Sequence, residues 1–426
     1  MGILLKPTLD CNMRCAYCYE HDTRSLGRHR YYDIDAMMKT ARELYEATRD
    51  DICLHGGECL LMAKQDLERF LRESYRICGR SSLQTNASLI DDDHIRMFKK
   101  YKTSVGVSID GPWPLNRGRA DEAGTNFIIA NIATLKEAGL YVGPIIVLSK
   151  FNATSELRPL LKSFILTLKS MQIEGGRLNF VETQPDMELS PEEAKEAYLD
   201  LADFMLSEPG LNYQPFRDII DNLCGFGLGT CIFTQCDFYA TQAGKAVMGD
   251  GSLSSCLKTA KDGVPFIQAK ETMTMRYDVL QAIPKEDGGC GGCRYWRICY
   301  GGCPSAAEKD DWRNKSRYCE AFSATYELIE KRLKAMLPNI ELITEVKPPE
   351  DSQQDYKERS GNQYSRRPFG LMDSTFTGCP STWRERAKSE KLSQPQQPGR
   401  QCGVHGEHGD RAHGDHSRHG DSGGTK

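Results

Sequence analysis

The most informative segment of the chain reads Cys11-Asn12-Met13-Arg14-Cys15-Ala16-Tyr17-Cys18. It follows a predicted strand, residues 3–8, so its thiols stand at the carboxyl end of a strand, where sites of α/β proteins lie. Three thiolates cannot complete the ligand set of a structural zinc site or of a four-iron cluster. A cluster held by three cysteines keeps one iron open for an outside ligand, which predicts a catalytic role. The alternative is a zinc site with a distant fourth ligand, for which His21 and His29 are candidates.

Composition limits the classes of protein to which the chain can belong. It has 426 residues, of which 39% are hydrophobic and 27% charged, and its net charge is −4. These values predict a globular protein of two to three domains, at roughly 100–200 residues each. They exclude a strongly basic nucleic-acid footprint and give no reason to expect a membrane partner. The first residues are too few for a signal peptide, so we expect a reducing, cytoplasmic location where the 17 cysteines bind metals.

The first half of the sequence alternates short apolar strands with amphipathic helices. The predicted strands are residues 3–8, 51–54, 82–85, 104–109, 141–148 and 177–181. The predicted helices are residues 33–48, 64–75, 91–101, 127–138, 155–171 and 191–207. Six such units predict an α/β fold with parallel strands and crossover helices. The pattern leaves open whether the sheet is a closed or partly closed barrel or an open doubly wound sheet.

Changes in amino-acid composition along the sequence divide the chain into three regions. Residues 1–225 contain the strand–helix units, and residues 226–340 are rich in glycine and cysteine, which predicts a small region organised by metal. A closing helix is expected at 322–336. Residues 341–426 are rich in Pro, Gln, Gly, Ser and charge, with five histidines near the end, and we expect a disordered tail there.

Further motifs stand at the ends of the second, third and fourth predicted strands, followed by an arginine. They are Gly56-Gly57-Glu58, Gln84-Thr85-Asn86, Ser108-Ile109-Asp110-Gly111-Pro112 and Arg119. With the Cys-x3-Cys-x-Tyr-Cys loop, this ordered set resembles the signature of the radical S-adenosylmethionine (SAM) enzymes. The resemblance implies a partial (β/α)6 TIM-type radical SAM barrel over residues 1–225.

The resemblance also implies a mechanism and a set of SAM contacts. Cys11, Cys15 and Cys18 would hold a 4Fe–4S cluster whose open iron is chelated by SAM. One electron from the cluster would split SAM into methionine and a 5′-deoxyadenosyl radical, which removes a hydrogen atom from the substrate. Gly56, Gly57 and Glu58 would contact the SAM amino group. Ser108 and Arg119 would contact its carboxylate, and Tyr17 would lie near its adenine.

Two departures from the family pattern affect this assignment. Cys59 replaces the usual proline after Gly-Gly-Glu, which should leave function intact because proline stiffens a turn and binds nothing. The interval from Ser108 to the arginine is one residue shorter than expected, so Arg117 is a rival to Arg119 for the SAM carboxylate.

Eight further cysteines crowd the second region, and their spacing is similar to the SPASM extension of peptide-modifying radical SAM enzymes. The resemblance implies two fully ligated 4Fe–4S clusters with crossed ligation, so three clusters are expected in all. The first set would be Cys231, Cys236, Cys256 and Cys303; the second would be Cys290, Cys293, Cys299 and Cys319. The alternative is a pair of zinc ribbons. Both electron relay and shaping of the substrate pocket remain open as roles for these clusters.

The leading hypothesis is a radical SAM enzyme that modifies a peptide or protein side chain. Leu257 stands where sulfatase maturases place an Asp base, so formylglycine formation is less expected. Partners would be a one-electron donor such as flavodoxin or ferredoxin and either a separate leader-peptide-binding protein or direct binding of the peptide in the barrel mouth. Trp113, Asp237, Tyr239 and Lys258 are candidates to line that mouth. The alternatives are oxidation or rearrangement of a small metabolite, and a non-catalytic metal-handling protein suggested by the histidine tail.

Overall fold

The computed structural model of the chain describes residues 2–20, 31–182, 184–226, 231–233, 236, 245–254, 256, 258 and 276–343. All of these lie in one compact unit, Met1–Pro380. His21, His29, Asp237 and Tyr239 fall outside the described residues, as does the predicted tail from residue 344 onward. The boundaries predicted after residues 225 and 340 therefore remain predictions.

Nine strands form a single sheet in the order β7-β6-β5-β4-β3-β2-β1-β8-β9. Every neighbouring pair is parallel except β8 and β9. The strands are β1 Ile3–Lys6, β2 Ile52–Leu54, β3 Ser81–Thr85, β4 Thr103–Ser108, β5 Val142–Leu148, β6 Gly175–Phe180, β7 Asn212–Gln214, β8 Ala246–Met248 and β9 Leu253–Ser254. Among the described strands, β7 and β9 are free edges, so the barrel is partial and not closed. The predicted α/β class is confirmed.

Ten helices accompany these strands in the described part of the chain. They are α1 Ile34–Thr48, α2 Lys64–Cys78, α3 Asp92–Lys100, α4 Glu122–Glu137, α5 Arg158–Ser170, α6 Pro191–Ser207, α7 Phe216–Leu223, α8 Arg276–Ala282, α9 Trp296–Cys299 and α10 Cys319–Met336. Each of the first six follows one strand, as crossover connections between parallel strands require. Within the described residues, short 3₁₀ turns lie at Cys59–Leu61, Cys231–Phe233, Lys285–Asp287, Pro304–Ala306 and Glu308–Asp310.

Capping residues explain where several helices begin. Asp33, Asp91 and Asp121 each accept a hydrogen bond from a backbone N–H in the first turn of the helix that follows. Ser190 and Glu193 form a capping box in front of α6, with Pro191 at its first position. The predicted helix over 191–207 therefore has the bounds that the structure shows.

The strand–helix units and the cysteine-rich region share one hydrophobic core. Helix α10 packs along α6, and its Phe322 lies between Phe180 at the end of β6 and Phe233. Strands β7 to β9 and helix α7 are additions that the sequence pattern does not predict. No helix among the described residues is long and apolar enough to span a bilayer.

Candidate functional site

The three amino-terminal cysteines lie in the loop that follows β1. Their side chains are half-buried, and of the residues between them Asn12, Arg14 and Ala16 are exposed, whereas Tyr17 is buried. Cys11 Sγ lies 3.4 Å from the amide nitrogen of Met13 and 3.9 Å from Asn86 Nδ2. Cys15 Sγ lies 3.9 Å from Nη1 of Arg119. N–H donors aimed at sulfur suit thiolates that carry a metal cluster.

Glycine is required where the loop after β2 meets the cysteine loop. Gly57 N donates to the carbonyl of Thr8 at 3.0 Å, and Glu58 N donates to that of Asp10 at 2.8 Å. A Cβ at Gly57 would overlap the carbonyl oxygens of Asp10 and Leu9, and one at Gly56 would overlap that of Thr8. The two glycines thus let the loops approach closely and leave backbone polar groups beside the cysteine loop.

Glu58 is buried and anchors its own loop. Its carboxylate accepts hydrogen bonds from Leu60 N at 3.0 Å, from Thr85 Oγ1 at 2.8 Å and from Asn86 N at 2.7 Å. Burial raises its pKa, and these hydrogen bonds lower it. The thiol of Cys59 also contacts the carboxylate, with its Sγ 3.9 Å from Oε1, so four donors surround Glu58. Contact between Glu58 and the SAM amino group remains a prediction.

The end of β3 connects the same parts from the other side. Asn86 Nδ2 donates to Asn12 Oδ1 at 2.9 Å, and Asn12 Nδ2 donates to Ser88 Oγ at 2.8 Å. The thiol of Cys59, which stands in place of the family's proline, lies 3.4 Å from the carbonyl oxygen of Gln84. The Gln-Thr-Asn motif therefore holds the cysteine loop and the Gly-Gly-Glu loop together.

The loop after β4 contacts the cysteine loop through Tyr17, Asp110 and Arg119. Tyr17 donates its hydroxyl to Asp110, and Arg119 Nε lies 3.1 Å from Asp110 Oδ2 in a buried ion pair. The guanidinium stacks 5.2 Å from the centre of the Tyr17 ring. Burial lowers the pKa of Arg119, but the charges of Asp110, Tyr17 and Cys15 outweigh it and the net shift is upward. Arg119 is therefore charged beside the cysteine loop.

The rival arginine takes a different position. Arg117 is exposed and stacks on Phe151 at 4.5 Å, with no described contact to a cysteine. Ser108 ends β4 and is half-buried at the same edge of the sheet. Asp110, the third residue of the Ser-Ile-Asp-Gly-Pro motif, accepts the hydrogen bond from Tyr17 and pairs with Arg119, so it is at the centre of these contacts. Its signal in the sequence is an acid followed by Gly-Pro directly after a buried strand.

A second buried polar group lies at the end of β1. Lys6 is fully buried, and its ammonium donates to Glu20 at 2.7 Å, to the Tyr19 hydroxyl at 3.2 Å and to the carbonyl of Cys256 at 3.4 Å. His55 Nδ1 lies 3.9 Å from the same Glu20 oxygen. This group joins the residues just after Cys18 to a cysteine of the second region, and no motif in the sequence indicates it.

The eight cysteines of the second region fall into two groups by their mutual electrostatic influence. Burial raises the pKa of Cys236 well above its ordinary value, and the charges of Cys231, Cys303 and Cys256 add to it. Lys258 forms an ion pair with Glu182 beside this group and lowers the pKa of Cys303, which burial raises. These four thiols are those predicted to hold the first auxiliary cluster.

The remaining four thiols form the other group. Burial raises the pKa of Cys299, and the charges of Cys319, Cys290 and Cys293 raise it further. Burial likewise raises the pKa of Cys290 to about 12 and that of Cys319 to about 11. All cysteines in the described part of the chain are free thiols.

Buried thiols that lie close together resist ionisation unless a cation compensates the negative charge of the thiolates. Both groups therefore fit metal clusters. Among the described residues, no three His, Cys, Asp or Glu side chains converge on a point suited to a single metal ion. Trp113, a candidate for the barrel mouth, is exposed.

Comparisons with known proteins agree with this geometry. The family model of the Radical SAM superfamily matches residues 5–161. The chain is 24% identical over 387 residues to a cysteine-type anaerobic sulfatase-maturating enzyme of Clostridium perfringens. The alignment covers 80% of this chain and 99% of that protein. An enzyme of the same description from Clostridium novyi is 23% identical over 370 residues, 77% of this chain and 94% of that protein.

A solved structure is also similar. Native anSMEcpe with bound AdoMet and the Kp18Cys peptide matches with a TM-score of 0.62 at 18% identity, over 80% of this chain and 99% of that chain. This likeness shows a shared fold.

Proposed function

This chain belongs to the radical SAM superfamily, and from that premise we propose that it modifies a side chain of a peptide or protein by abstracting a hydrogen atom. The observation that carries the proposal is the likeness to sulfatase-maturating relatives over nearly their whole length, cysteine-rich region included. When bound, the cluster and SAM supply the electron and the 5′-deoxyadenosyl radical. The protein holds, orients and shields them.

The residues at the carboxyl edge fit this cofactor pair. Cys11, Cys15 and Cys18 supply three half-buried thiols with N–H donors at sulfur. Gly56 and Gly57 hold the loop after β2 against the cysteine loop, where a Cβ would overlap backbone carbonyl oxygens, and so keep backbone polar groups beside the thiols. Glu58 would supply an anionic partner for the SAM ammonium group, Ser108 and Arg119 would supply donors for its carboxylate, and Tyr17 would supply an aromatic ring.

The cysteine-rich region would hold two more 4Fe–4S clusters, which makes three in total. The grouping of the thiols by mutual charge supports the crossed ligation, with Cys303 in the first set although it follows three members of the second. With all four thiolate positions filled, neither cluster can chelate SAM. A one-electron donor such as flavodoxin or ferredoxin would serve the enzyme in the cytoplasm, where free thiols persist.

The substrate class is inferred from the relatives and from the lining of the edge. Lys6 and Glu20 form a buried ion pair after β1, and Lys258 and Glu182 form a half-buried pair beside the first auxiliary set. The second pair is partly accessible, so its charged groups are available to orient a polar peptide segment. Oxidation of cysteine, the target in the relatives' description, is the first reaction to test, although Leu257 departs from the maturase pattern.

The test is an anaerobic assay of the iron-loaded protein with SAM and dithionite. We expect 5′-deoxyadenosine to form, and a peptide with a central cysteine to change mass, whereas the same peptide with alanine stays unmodified. Cys15→Ala should abolish SAM cleavage. Cys78→Ala, which removes a free thiol on α2 outside every predicted set, should leave it intact.

Two other outcomes would count against parts of the proposal. Cleavage retained in Cys15→Ala would contradict the cluster assignment. Cleavage with no change in any cysteine or serine peptide, with or without a leader-binding protein, would favour the small-metabolite alternative.

A further inference from the structure

Arg276, the first residue of α8, makes contacts that connect the two auxiliary sets. Its side chain is 1% exposed, which is rare for an arginine. Nε donates to the carbonyl of Trp312 at 2.7 Å, and Nη2 donates to that of Asn314 at 2.8 Å. The other contacts are Nη1 with the carbonyls of Cys236 and Gly302 at 3.4 and 3.2 Å, and Nη2 with that of Gly301 at 3.3 Å. The five N–H groups of one guanidinium thus meet five main-chain carbonyls.

The carbonyls belong to the segments that carry the ligands of both sets. Cys236 is itself a member of the first set. Gly301 and Gly302 lie between Cys299 of the second set and Cys303 of the first. Asn314 lies in the turn that leads to Cys319, and Ser316 N closes that turn on Gly301 O at 2.8 Å. One side chain therefore fixes the backbone around both sets.

The charge of Arg276 also reaches both sets. Nη1 lies 3.4 Å from the carbonyl oxygen of Cys236 in the first set. Nη2 and Cys290 Sγ of the second set both flank Gly301, where a Cβ would lie 3.7 Å from the nitrogen and 3.4 Å from the sulfur. Four thiolates give a 4Fe–4S cluster an excess of negative charge, and two such clusters in a buried region need compensation. A cation placed between them favours the reduced, more negative form of each and so raises both reduction potentials.

We propose that Arg276 is a positioning residue shared by the two auxiliary clusters, which fixes the ligand loops of both sets and raises the reduction potential of both clusters. The inference rests on the proposed function, because it requires that the two clusters exist. Lysine cannot replace it, since a single ammonium group has three donors and no planar fork.

The experiment uses a background in which Cys11, Cys15 and Cys18 are changed to alanine, so that only auxiliary clusters contribute. Arg276→Lys and Arg276→Gln are compared with Arg313→Gln, which removes an exposed arginine from the same turn. After anaerobic loading, iron per chain and the midpoint potentials of the clusters are measured by redox titration with electron paramagnetic resonance.

We expect both Arg276 variants to bind iron roughly 10–100-fold more weakly at both sites, as loss of groups behind metal ligands does. The clusters that do assemble should both titrate at more negative potential in Arg276→Gln, whereas in Arg276→Lys, which keeps the positive charge, the potentials should stay close to those of the background. The Arg313→Gln protein should match the unsubstituted background. The potentials are the readout that a merely structural role would leave unmoved.

Two results would overturn the inference. One is a change at a single cluster, and the other is a pair of Arg276 variants with unchanged potentials. If the background protein binds less iron per chain than two clusters require, the proposed function is refuted instead. If Arg276→Gln does not fold, Arg276→Lys decides the positioning role through iron binding at both sites, because it keeps the charge and loses the fork, and Arg276→Met replaces Arg276→Gln in the measurement of the potentials.

Discussion

At the scale of single residues, the carboxylate of Asp110 joins three parts of the candidate SAM site. Its Oδ1 accepts from Val147 N at 2.9 Å on the neighbouring strand, while Oδ2 contacts Tyr17 and Arg119. Asn152 holds the backbone of Asp110, donating to its carbonyl at 3.1 Å. The orientation of the cysteine loop's aromatic ring and of the arginine beside Cys15 therefore depends on one side chain.

Asp110→Asn tests this dependence. The substitution leaves the Arg119 charge buried without its partner, which costs about 3–5 kcal/mol of unfolding free energy. We expect urea unfolding to show this loss and SAM affinity to fall as Arg119 reorients. Asp35→Asn is the matched control, because Asp35 also pairs with an arginine, Arg69, but at the exposed surface. It should leave the midpoint unchanged, and equal effects of the two substitutions would contradict the role of Asp110.

His55 gives the protein a defined dependence on pH. Burial and the nearby Lys6 charge together lower its pKa from 6.5 to about 4, against the opposing charge of Glu20. The folded protein thus binds its proton less tightly than the unfolded chain, so stability is complete above pH 6.5 and falls as the pH drops towards 4. Between pH 7 and 5 we expect a loss of about 2 kcal/mol. His55→Gln should flatten this part of the anaerobic unfolding profile, and an unaltered slope would show that other groups cause it.

At the scale of elements, the site depends on how closely two loops approach. Gly57→Ala places a Cβ against the carbonyl oxygens of Asp10 and Leu9, which are backbone atoms and cannot rotate away. We expect the loop after β2 to shift and the iron bound by the cysteine loop to fall severalfold. Gly143→Ala in β5 is the control, since its Cβ meets nothing closer than 3.9 Å. Iron per chain and SAM cleavage measure the outcome, and normal loading in Gly57→Ala would rule out the steric role.

Elements with local signals were predictable from the sequence, and those that depend on distant contacts were not. Helix α6 is announced by Ser190, Pro191 and Glu193, and its predicted bounds match. Strand β8 has three residues, too few to show a period of two, and pairs with β1, which lies over 200 residues earlier in the chain. Likewise, the cysteines are recognisable by spacing, but Arg276 is not, because its partners are main-chain carbonyls that any residue type can supply.

At the scale of the whole molecule, an aromatic cluster joins the barrel to the cysteine-rich region. Phe322 of α10 lies 6.5 Å from Phe180 of β6, 5.9 Å from Tyr198 of α6 and 5.6 Å from Phe233, measured between ring centres. Phe180 in turn stacks on Tyr198 and Tyr318 at 4.1 and 4.3 Å. Because these rings come from both halves of the described chain, the hydrophobic core around β6, α6 and α10 is shared between the two halves.

Phe322→Ala should therefore destabilise both halves together. The cavity left by a buried phenylalanine costs about 3–5 kcal/mol. We expect one thermal transition at a lower temperature, in which the helical circular dichroism and the visible absorption of the iron–sulfur clusters are lost in parallel. Phe127→Ala, which removes an exposed ring from α4, should leave the midpoint in place. Loss of cluster absorption well before loss of helix would show instead that the cysteine-rich region unfolds as a separate domain.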